Sequence, residues 1–220
     1  MPRTYGHYCP VVHALEVVGD RWSLLIIRDL LRKPQRFTDL LHYSSNLSPK
    51  WLTQRLRKLE EAGVIGREKR QDHREVWYKL TPAGHDLRPV VEALGAWGMK
   101  YVMPPPLPGE VVHPELAMNT LSTSLNRRNR KLSQPASWQI NFLPGGPYTI
   151  SFDGEGWSLT EGKEDNPDVV VTVSPEAWAT FLAVKRDERH KLARKIQIDG
   201  TPERVEEFLY TLGVRTAKVI

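Results

Sequence analysis

The sequence predicts an α+β protein made of two domains, one mainly helical and one built from strands followed by helices. In the first half, a capped amphipathic helix runs into two strand-like segments. In the second half, apolar residues alternate from Trp138 to Phe152, and two later helices begin at Ser-Pro and Thr-Pro pairs. At 220 residues, the chain is long enough for each domain to bury its own core.

The chain begins with segments that predict three helices. Residues 10–18 form the first, and residues 20–31 form the second, with Asp20 as its cap. Residues 38–43 form a short third helix before a Ser-Ser-Asn turn. Trp22 and Phe37 are large and apolar, so we expect them in the core rather than at a contact surface.

The fourth predicted helix, residues 49–62, has a clear start and a clear stop. Ser48 suits the N-cap because its hydroxyl accepts a hydrogen bond from a free backbone N–H, and Pro49 suits the first helical position. Gly63 suits the stop because glycine adopts left-handed backbone angles without strain. At about 100° per residue, one face is apolar and the opposite face is polar. The apolar face comprises Leu52, Leu56, Leu59 and Ala62, and the polar face comprises Lys50, Thr53, Gln54 and Arg57.

This polar face carries residue types that suit the major groove of DNA. Gln and Arg hydrogen-bond base edges, whereas Lys and Thr reach phosphates or a thymine methyl group. The alternative is an ordinary solvated helix face, which the helix alone does not exclude.

Two strand-like runs follow, residues 64–70 and 75–80, joined by a polar connection of hairpin length. Such a cationic hairpin would lie along the phosphate backbone and add salt-sensitive affinity; a solubilising hairpin is the alternative. A helix followed by this ribbon is the layout of a winged helix-turn-helix domain. We therefore expect DNA contacts from Lys50, Thr53, Gln54, Arg57, Arg67, Lys69, Arg70 and Arg74.

A further helix is predicted to begin at Thr81-Pro82 and to continue through residue 101. Its apolar residues recur at helical spacing, and such a stripe ordinarily packs within its own domain. The stripe comprises Leu87, Val90, Val91, Leu94, Trp97 and Tyr101.

Five blocks of the first half resemble the HxlR-type transcriptional regulators, which are bacterial winged helix-turn-helix proteins. The blocks are Cys9-Pro10, Gly19 to Leu30, Arg36 to Leu40, Leu52 to Gly63, and Tyr78 to Gly84. The resemblance covers about residues 9–102. It implies transcription regulation by a homodimer on double-stranded operator DNA, with the first helix and the helix after Thr81 forming the dimer interface.

Cys9 has two interpretations. It precedes Pro10 and so is expected at the N-cap of the first helix, where the helix dipole favours a thiolate. Resemblance to regulators that sense oxidants or electrophiles near this position implies a redox role. The alternative is a small buried apolar residue, and the chain has no second cysteine for an internal disulfide.

A proline-rich segment, Pro104 to Gly109, separates the halves as a stiff spacer. The predicted organisation is a winged domain of residues 1–103, a linker of residues 104–112 and a second domain of residues 113–220. That second domain should contain a helix at 114–132, five strands and two late helices. The strands are expected at 138–142, 148–152, 157–159, 168–173 and 196–200, and the late helices begin at Pro175 and Pro202.

The order of these elements resembles the sterol carrier protein-like fold over about residues 136–213. Two blocks carry the resemblance, Pro167 to Trp178 and Gln197 to Pro202. It implies an antiparallel sheet covered by helices, and an apolar tunnel for acyl or sterol-like molecules. A hydrophobic effector would then contact Trp138, Phe142, Tyr148, Phe152, Trp157, Trp178, Phe181, Leu182 and Phe208. The alternative is that these residues only form the core, since sequence does not show a gap between them.

Charge is unequal between the two halves. Residues 1–103 contain 17 Lys and Arg against 11 Asp and Glu, and the remaining residues contain 14 against 15. A basic footprint confined to one domain fits nucleic-acid binding there. No apolar run approaches a membrane span, no signal peptide is present and a single cysteine fits a reducing compartment, so we expect a cytoplasmic protein without membrane contact.

Catalytic motifs are missing from the sequence. There is no nucleophile elbow, zinc-protease motif or phosphate-binding glycine loop, so we expect no enzyme activity, metal or cofactor. Two functions remain: a homodimeric DNA-binding transcriptional regulator with a second domain that senses a hydrophobic small molecule, and a lipid or acyl-chain carrier whose winged domain serves only dimerisation.

Overall fold

The computed structural model describes residues 5–43, 47–69, 75–194 and 196–214, without the side chain of residue 69. Contacts within the chain divide it into two compact units, Met1–Leu94 and Gly95–Ile220. Within the described residues, no helix is long and apolar enough to cross a membrane.

The first unit contains helices around a small three-stranded sheet. In chain order the elements are α1 (Pro10–Val18), α2 (Ser23–Leu30), β1 (Gln35–Arg36), α3 (Phe37–Tyr43), α4 (Pro49–Glu61), β2 (Ile65–Lys69), β3 (Val76–Leu80), α5 (Pro82–His85) and α6 (Arg88–Tyr101). The sheet has the order β1-β3-β2, and both pairings are antiparallel. The helix-turn-helix and the hairpin predicted from the sequence are thus present, and the division between the units falls inside α6.

The interior of this unit is aliphatic and draws on every helix before the hairpin. Removing one of its leucine side chains would leave a cavity and cost about 2–5 kcal/mol. Its buried residues are Val18, Ile26, Ile27, Leu30, Leu40, Leu47, Leu52, Leu56, Leu59, Val64, Ile65 and Leu80.

Four details of the predicted helices were wrong. The second helix begins at Ser23 rather than at residue 20, because the Asp20 carboxylate accepts hydrogen bonds from the backbone N–H groups of Trp22 and Ser23 and so stands before the helix. The helix after Thr81 is divided into α5 and α6. Trp22 and Phe37 are only half-buried, packed on the edge of the core. Ala62 is exposed because it lies at the C-cap of α4, past the last turn that faces the core.

The second unit holds a five-stranded sheet and four further helices among the described residues. Its elements are α7 (Pro114–Arg127), β4 (Ala136–Phe142), β5 (Gly146–Phe152), β6 (Trp157–Glu161), β7 (Val169–Val173), α8 (Pro175–Ala183), α9 (Arg189–Ala193), β8 (Gln197–Gly200) and α10 (Pro202–Thr211). Helices α8 and α10 begin as predicted, since Ser174 and Thr201 accept capping hydrogen bonds from Ala177 and Arg204. Residues 103–113 form neither helix nor strand.

The expected antiparallel sheet was wrong in one pairing. The strand order is β6-β5-β4-β7-β8, and β4 and β7 run parallel, so the sheet is mixed. After the edge strand β6, the chain crosses back to the far side of β4 before β7 begins, which makes the two strands parallel. Alternating apolar residues predict which face of a strand is buried, but not which neighbour it joins.

Helix α7 is shorter than predicted and ends at Arg127 instead of residue 132. Asn129 adopts a left-handed backbone with φ of 46°, which turns the chain away from the helix axis. The basic residues Arg128, Arg130 and Lys131 therefore lie beyond the helix, and α9 was not predicted at all.

Candidate nucleic-acid interface

Helix α4 is anchored to the first unit by its apolar face. Leu52, Leu56 and Leu59 are fully buried or nearly so. At its start, the Ser48 hydroxyl accepts a 3.4 Å hydrogen bond from the backbone N–H of Trp51. Burial on one side and a cap at the start fix the direction of the opposite face.

A polar contact also joins α4 to the start of α2. The Arg55 guanidinium lies 3.2 Å from the Asp20 carboxylate, and both side chains are less than one-fifth exposed. The same carboxylate caps α2 through Trp22 and Ser23, so one side chain ties the start of α2 to α4.

The four residues predicted to read DNA all lie on the exposed face of α4. The Thr53 hydroxyl donates a 2.8 Å hydrogen bond to the Pro49 carbonyl, which leaves its methyl group to face outward. The Arg57 Nε donates to the Glu61 carboxylate at 2.7 Å, which holds the guanidinium along the helix while its outer nitrogens stay exposed. Among the described residues, the side chains of Gln54 and Lys50 have no hydrogen-bond or ion-pair partner.

The hairpin of β2 and β3 lies beside the C-terminal end of α4. Arg67, opposite Tyr78 in the register, donates to the Glu60 carboxylate at 2.7 Å and is more than half exposed. Lys79 pairs with Glu68 at 2.6 Å on the other face of the hairpin. The Lys69 backbone belongs to β2, while the Lys69 side chain, Arg70 and Arg74 lie outside the described residues.

The base of the hairpin is fastened to the end of α4 by the Thr81-Pro-Ala-Gly84 segment. The Thr81 hydroxyl donates to the Gly63 carbonyl at 2.6 Å and accepts from the Gly84 N–H at 3.2 Å. A Cβ atom at Gly84 would lie 2.2 Å from the Val64 carbonyl oxygen, so only glycine fits this close approach. This segment therefore sets the angle between α4 and the hairpin.

Arg36 is a cation of this surface that the sequence did not single out. Its guanidinium hydrogen-bonds Asp39 and Glu75 at 3.0 Å and lies over the Trp77 ring. These partners raise the pKa of Arg36, and the hydrogen bond from Arg36 lowers the pKa of the Asp39 carboxyl below its ordinary value of 3.8. Two carboxylates thus share one arginine between β1, α3 and the start of β3.

Trp51 is a second residue that sequence reasoning missed. Its side chain is 53% exposed in the first turn of α4, with the Arg55 guanidinium 5.7 Å from its ring centroid. The sequence did carry a signal for this residue. Trp51 falls between Lys50 on the polar face of the helix and Leu52 on its apolar face, so a partly exposed position was predictable.

The predicted effector-binding residues pack together in the core of the second unit. Trp138 lies 4.7 Å from Trp157 and 5.0 Å from Phe208 between ring centroids. Leu182 alone is half-buried, and the other predicted residues are buried. Two clefts among the described residues are lined by other side chains. One polar feature remains, because the indole N–H groups of Trp138 and Trp178 have no hydrogen-bond partner among the described residues.

Cys9 occupies the N-cap of α1, as predicted, and is partly exposed. Its side chain accepts no capping hydrogen bond, while its carbonyl accepts from the His13 N–H. On α1, Val11 and Leu15 are exposed, and on α6 an exposed apolar stripe runs along one face. That stripe comprises Val90, Leu94, Trp97 and Tyr101.

The first unit combines a helix-turn-helix, a two-stranded wing beside it and an exposed polar face on α4. This arrangement defines the class of winged helix-turn-helix transcription regulators. Comparison with known proteins gives the family. Residues 17–105 match the HxlR-like helix-turn-helix family. The chain belongs to this family.

Two relatives agree with this assignment, and part of the chain is similar to a solved structure. The uncharacterized HTH-type transcriptional regulator sll1512 of Synechocystis sp. is 35% identical over 44% of this chain and 73% of that protein. The uncharacterized HTH-type transcriptional regulator Rv3095 of Mycobacterium tuberculosis is 34% identical over 54% of this chain and 81% of that protein. A crystal structure of the HTH-type transcriptional regulator ytcD is 34% identical, covers 43% of this chain and 97% of that chain, and has a TM-score of 0.41.

Proposed function

We propose that this regulator binds operator DNA as a homodimer and reads the major groove with α4. The exposed polar face of α4, anchored from behind and flanked by the basic hairpin, is the observation that carries this proposal. It combines groups that read bases with groups that neutralise phosphates.

Each residue has a distinct role in this proposal. Gln54 and Arg57 hydrogen-bond base edges, since an amide suits adenine and a guanidinium suits guanine. Thr53 offers its methyl group to thymine because its hydroxyl is already bonded to Pro49. Phosphates are contacted by Lys50, Arg67, Lys69, Arg70 and Arg74.

Homodimer formation is supported by the two exposed apolar faces of α1 and α6. Four large apolar side chains in one stripe on α6 are costly in water and typical of a contact surface. A two-fold dimer would place two α4 helices on successive turns of the DNA.

In vitro selection of duplexes from a random pool tests the proposal. The selected sequences should contain two related half-sites in inverted orientation, about 10 base pairs apart or a multiple of that spacing. Enrichment of no sequence, or of a single unrepeated half-site, would count against sequence reading by a dimer.

For the second domain, residues 113–220, we propose a sterol carrier protein-like fold with a sensor role, after a linker of residues 104–112. The two unpartnered indole N–H groups, on Trp138 and Trp178, support a polar contact from a ligand, because a buried donor without an acceptor costs about 1–3 kcal/mol. A hydrophobic effector would have to separate rings that are now in contact. Thermal denaturation with acyl and aromatic compounds tests this: a raised melting temperature is expected, and no shift with any compound would exclude the sensor role.

For Cys9 we propose redox sensing, supported by its partly exposed N-cap position. The Cys9→Ser variant should bind DNA equally with and without oxidant, whereas the wild type should lose binding. If oxidant affected both proteins alike, the proposal would fail. With one cysteine in the chain, a disulfide would have to join two copies or a small thiol.

The carrier alternative is less well supported. The relatives are named as transcriptional regulators, and a domain used only for dimerisation has no need of a polar reading face beside a basic wing.

A further inference from the structure

A cluster of arginines lies at the edge of the core of the second unit. Arg128 and Arg130 follow the end of α7, while Arg186 lies between α8 and α9 and Arg189 begins α9. The fold brings these two separate stretches of sequence together, so their spacing in the sequence did not predict the cluster.

These cations repel each other. None of the four forms an ion pair with a carboxylate among the described residues, and the charges that act on Arg128 and Arg189 are those of other arginines. Burial, followed by the charges of Arg186, Arg130 and Arg127, lowers the pKa of Arg128. Burial, followed by repulsion from Arg186 and Arg128, lowers the pKa of Arg189 to about 10.

The backbone holds the cluster in place despite this repulsion. The Arg189 guanidinium donates to the carbonyl groups of Val184, Leu182 and Leu212 and lies over the Phe181 ring. The Arg130 carbonyl accepts a 2.6 Å hydrogen bond from the Trp157 indole. These contacts fix both segments against the core.

The Arg186 side chain lies against the backbone of Gly213. Gly213 adopts a left-handed φ of 81°, and a Cβ atom there would lie 3.0 Å from both Cδ and Nε of Arg186. The arginine occupies the space that a side chain at position 213 would fill. The position of Arg186 therefore depends on glycine at 213.

The cluster borders an open cleft of about 460 Å³, a size that suits a small molecule. Its lining combines arginine and tyrosine donors with one carboxylate, one glycine and one apolar side chain. The lining residues are Arg130, Arg186, Asp187, Tyr210, Gly213 and Val214.

We propose that this cleft binds a small organic oxyanion, held through its phosphate or carboxylate group by Arg130 and Arg186. A guanidinium forms two parallel hydrogen bonds with either group, and the bound negative charge would offset the repulsion among the four arginines. Tyr210 and Val214 would contact the apolar part of the ligand. None of the residues that line the cleft is among those proposed to contact DNA or a hydrophobic effector.

A small anion fits the cleft better than a DNA backbone does. Arg130 and Arg186 come from two separate segments and line one cleft, which suits a single compact anion. A phosphate backbone is matched by cations spread along an extended surface.

Isothermal titration of the full chain at low ionic strength tests the proposal with three probes: inorganic phosphate, octyl phosphate and octanoate. We expect octyl phosphate or octanoate to bind, and Arg186→Gln to weaken that binding at least about tenfold. Lys163→Gln, which removes an exposed cation elsewhere in the same unit, is the matched control and should bind as the wild type does. Arg130→Gln provides a second variant, since the Trp157 hydrogen bond uses only its backbone carbonyl.

The outcomes separate the possibilities. Binding of inorganic phosphate alone would show an anion site without the organic part and would overturn the proposed ligand class. Equal affinities of Arg186→Gln and Lys163→Gln, or no binding of any probe at millimolar concentration, would overturn the site. If Arg186→Gln instead weakened operator binding and no probe bound, the cluster would be a DNA phosphate contact. Operator binding is measured on the same proteins, so failure of the site is distinguishable from failure of the DNA-binding proposal.

Discussion

At the scale of single residues, the free protein already orients the groups that would meet DNA. Glu61 holds the Nε of Arg57, and Pro49 accepts the Thr53 hydroxyl, so a guanidinium edge and a methyl group point outward. Preorganised side chains lose less conformational entropy on binding than mobile ones. The side chain of Gln54 has no partner among the described residues, so its amide N–H can donate to a base and its amide oxygen can accept from one.

Arg57→Ala should weaken binding to the selected operator by about 1–3 kcal/mol and relax the preference at one base position. The loss of a bidentate contact with a base is the physical reason. Gel-shift titration against the operator and its single-base variants measures both effects. Lys163→Ala, in the second unit, controls for the loss of a positive charge; equal losses in both variants would argue that Arg57 acts only through net charge.

Asp39 gives the first unit a predicted dependence on pH. Its folded-state pKa lies below the ordinary value of 3.8 because Arg36 hydrogen-bonds the carboxylate. The stabilisation is therefore complete above that ordinary pKa and is lost as pH falls through the lower folded value. Asp39→Asn should lower the melting temperature near neutral pH, and its difference from the wild type should shrink as the pH falls below 3.8. A constant difference at every pH, measured by circular dichroism, would contradict this cause.

At the scale of elements, the sequence predicted most of the winged domain because local signals and packing agree there. Ser48, Pro49 and Gly63 bound α4 in the structure as in the sequence. The role of Asp20 and Arg55 was not predictable, because it depends on the distance between two helices. The ion pair of Arg36 was not predictable for the same reason, because its partner Glu75 is 39 residues away.

The second unit shows the same limit more strongly. Capped helices and alternating strands were predictable, but the parallel pairing of β4 with β7 was not. The space between the aromatic side chains depends on how the layers pack. The arginine cleft likewise requires two distant segments to meet.

Gly84→Ala should destabilise the protein, because its Cβ would overlap the Val64 carbonyl oxygen. Overpacking of this kind costs about 1–3 kcal/mol, visible in thermal denaturation. The shift it forces on the hairpin should also weaken DNA binding. Gly66→Ala, in β2, is the matched control because a Cβ there meets nothing within 4 Å; a similar loss of stability in both variants would contradict the steric cause.

At the scale of the whole molecule, the central issue is how many copies act together. The exposed stripe on α6 and the exposed residues of α1 are explained if a second copy covers them. Trp97→Glu would place a charge in the centre of that stripe, where Trp97 is 54% exposed. We expect this variant to be monomeric in light scattering and to lose operator affinity, whereas Lys163→Glu should leave both properties unchanged. A dimer that persists in Trp97→Glu would move the interface elsewhere.

The most direct test of DNA reading by α4 and its wing is a salt titration of operator binding by three proteins: the wild type, a Gln54→Ala/Arg57→Ala double variant and Arg67→Ala. We expect the double variant to bind operator and unrelated duplexes alike, with its remaining affinity still falling as salt rises. Arg67→Ala should keep its sequence preference but bind every duplex more weakly, with a salt slope shallower by about 0.9 for each phosphate that Arg67 neutralises. Unchanged operator preference in the double variant, together with an unchanged slope in Arg67→Ala, would contradict the assignment of α4 and its wing as the DNA-reading surface.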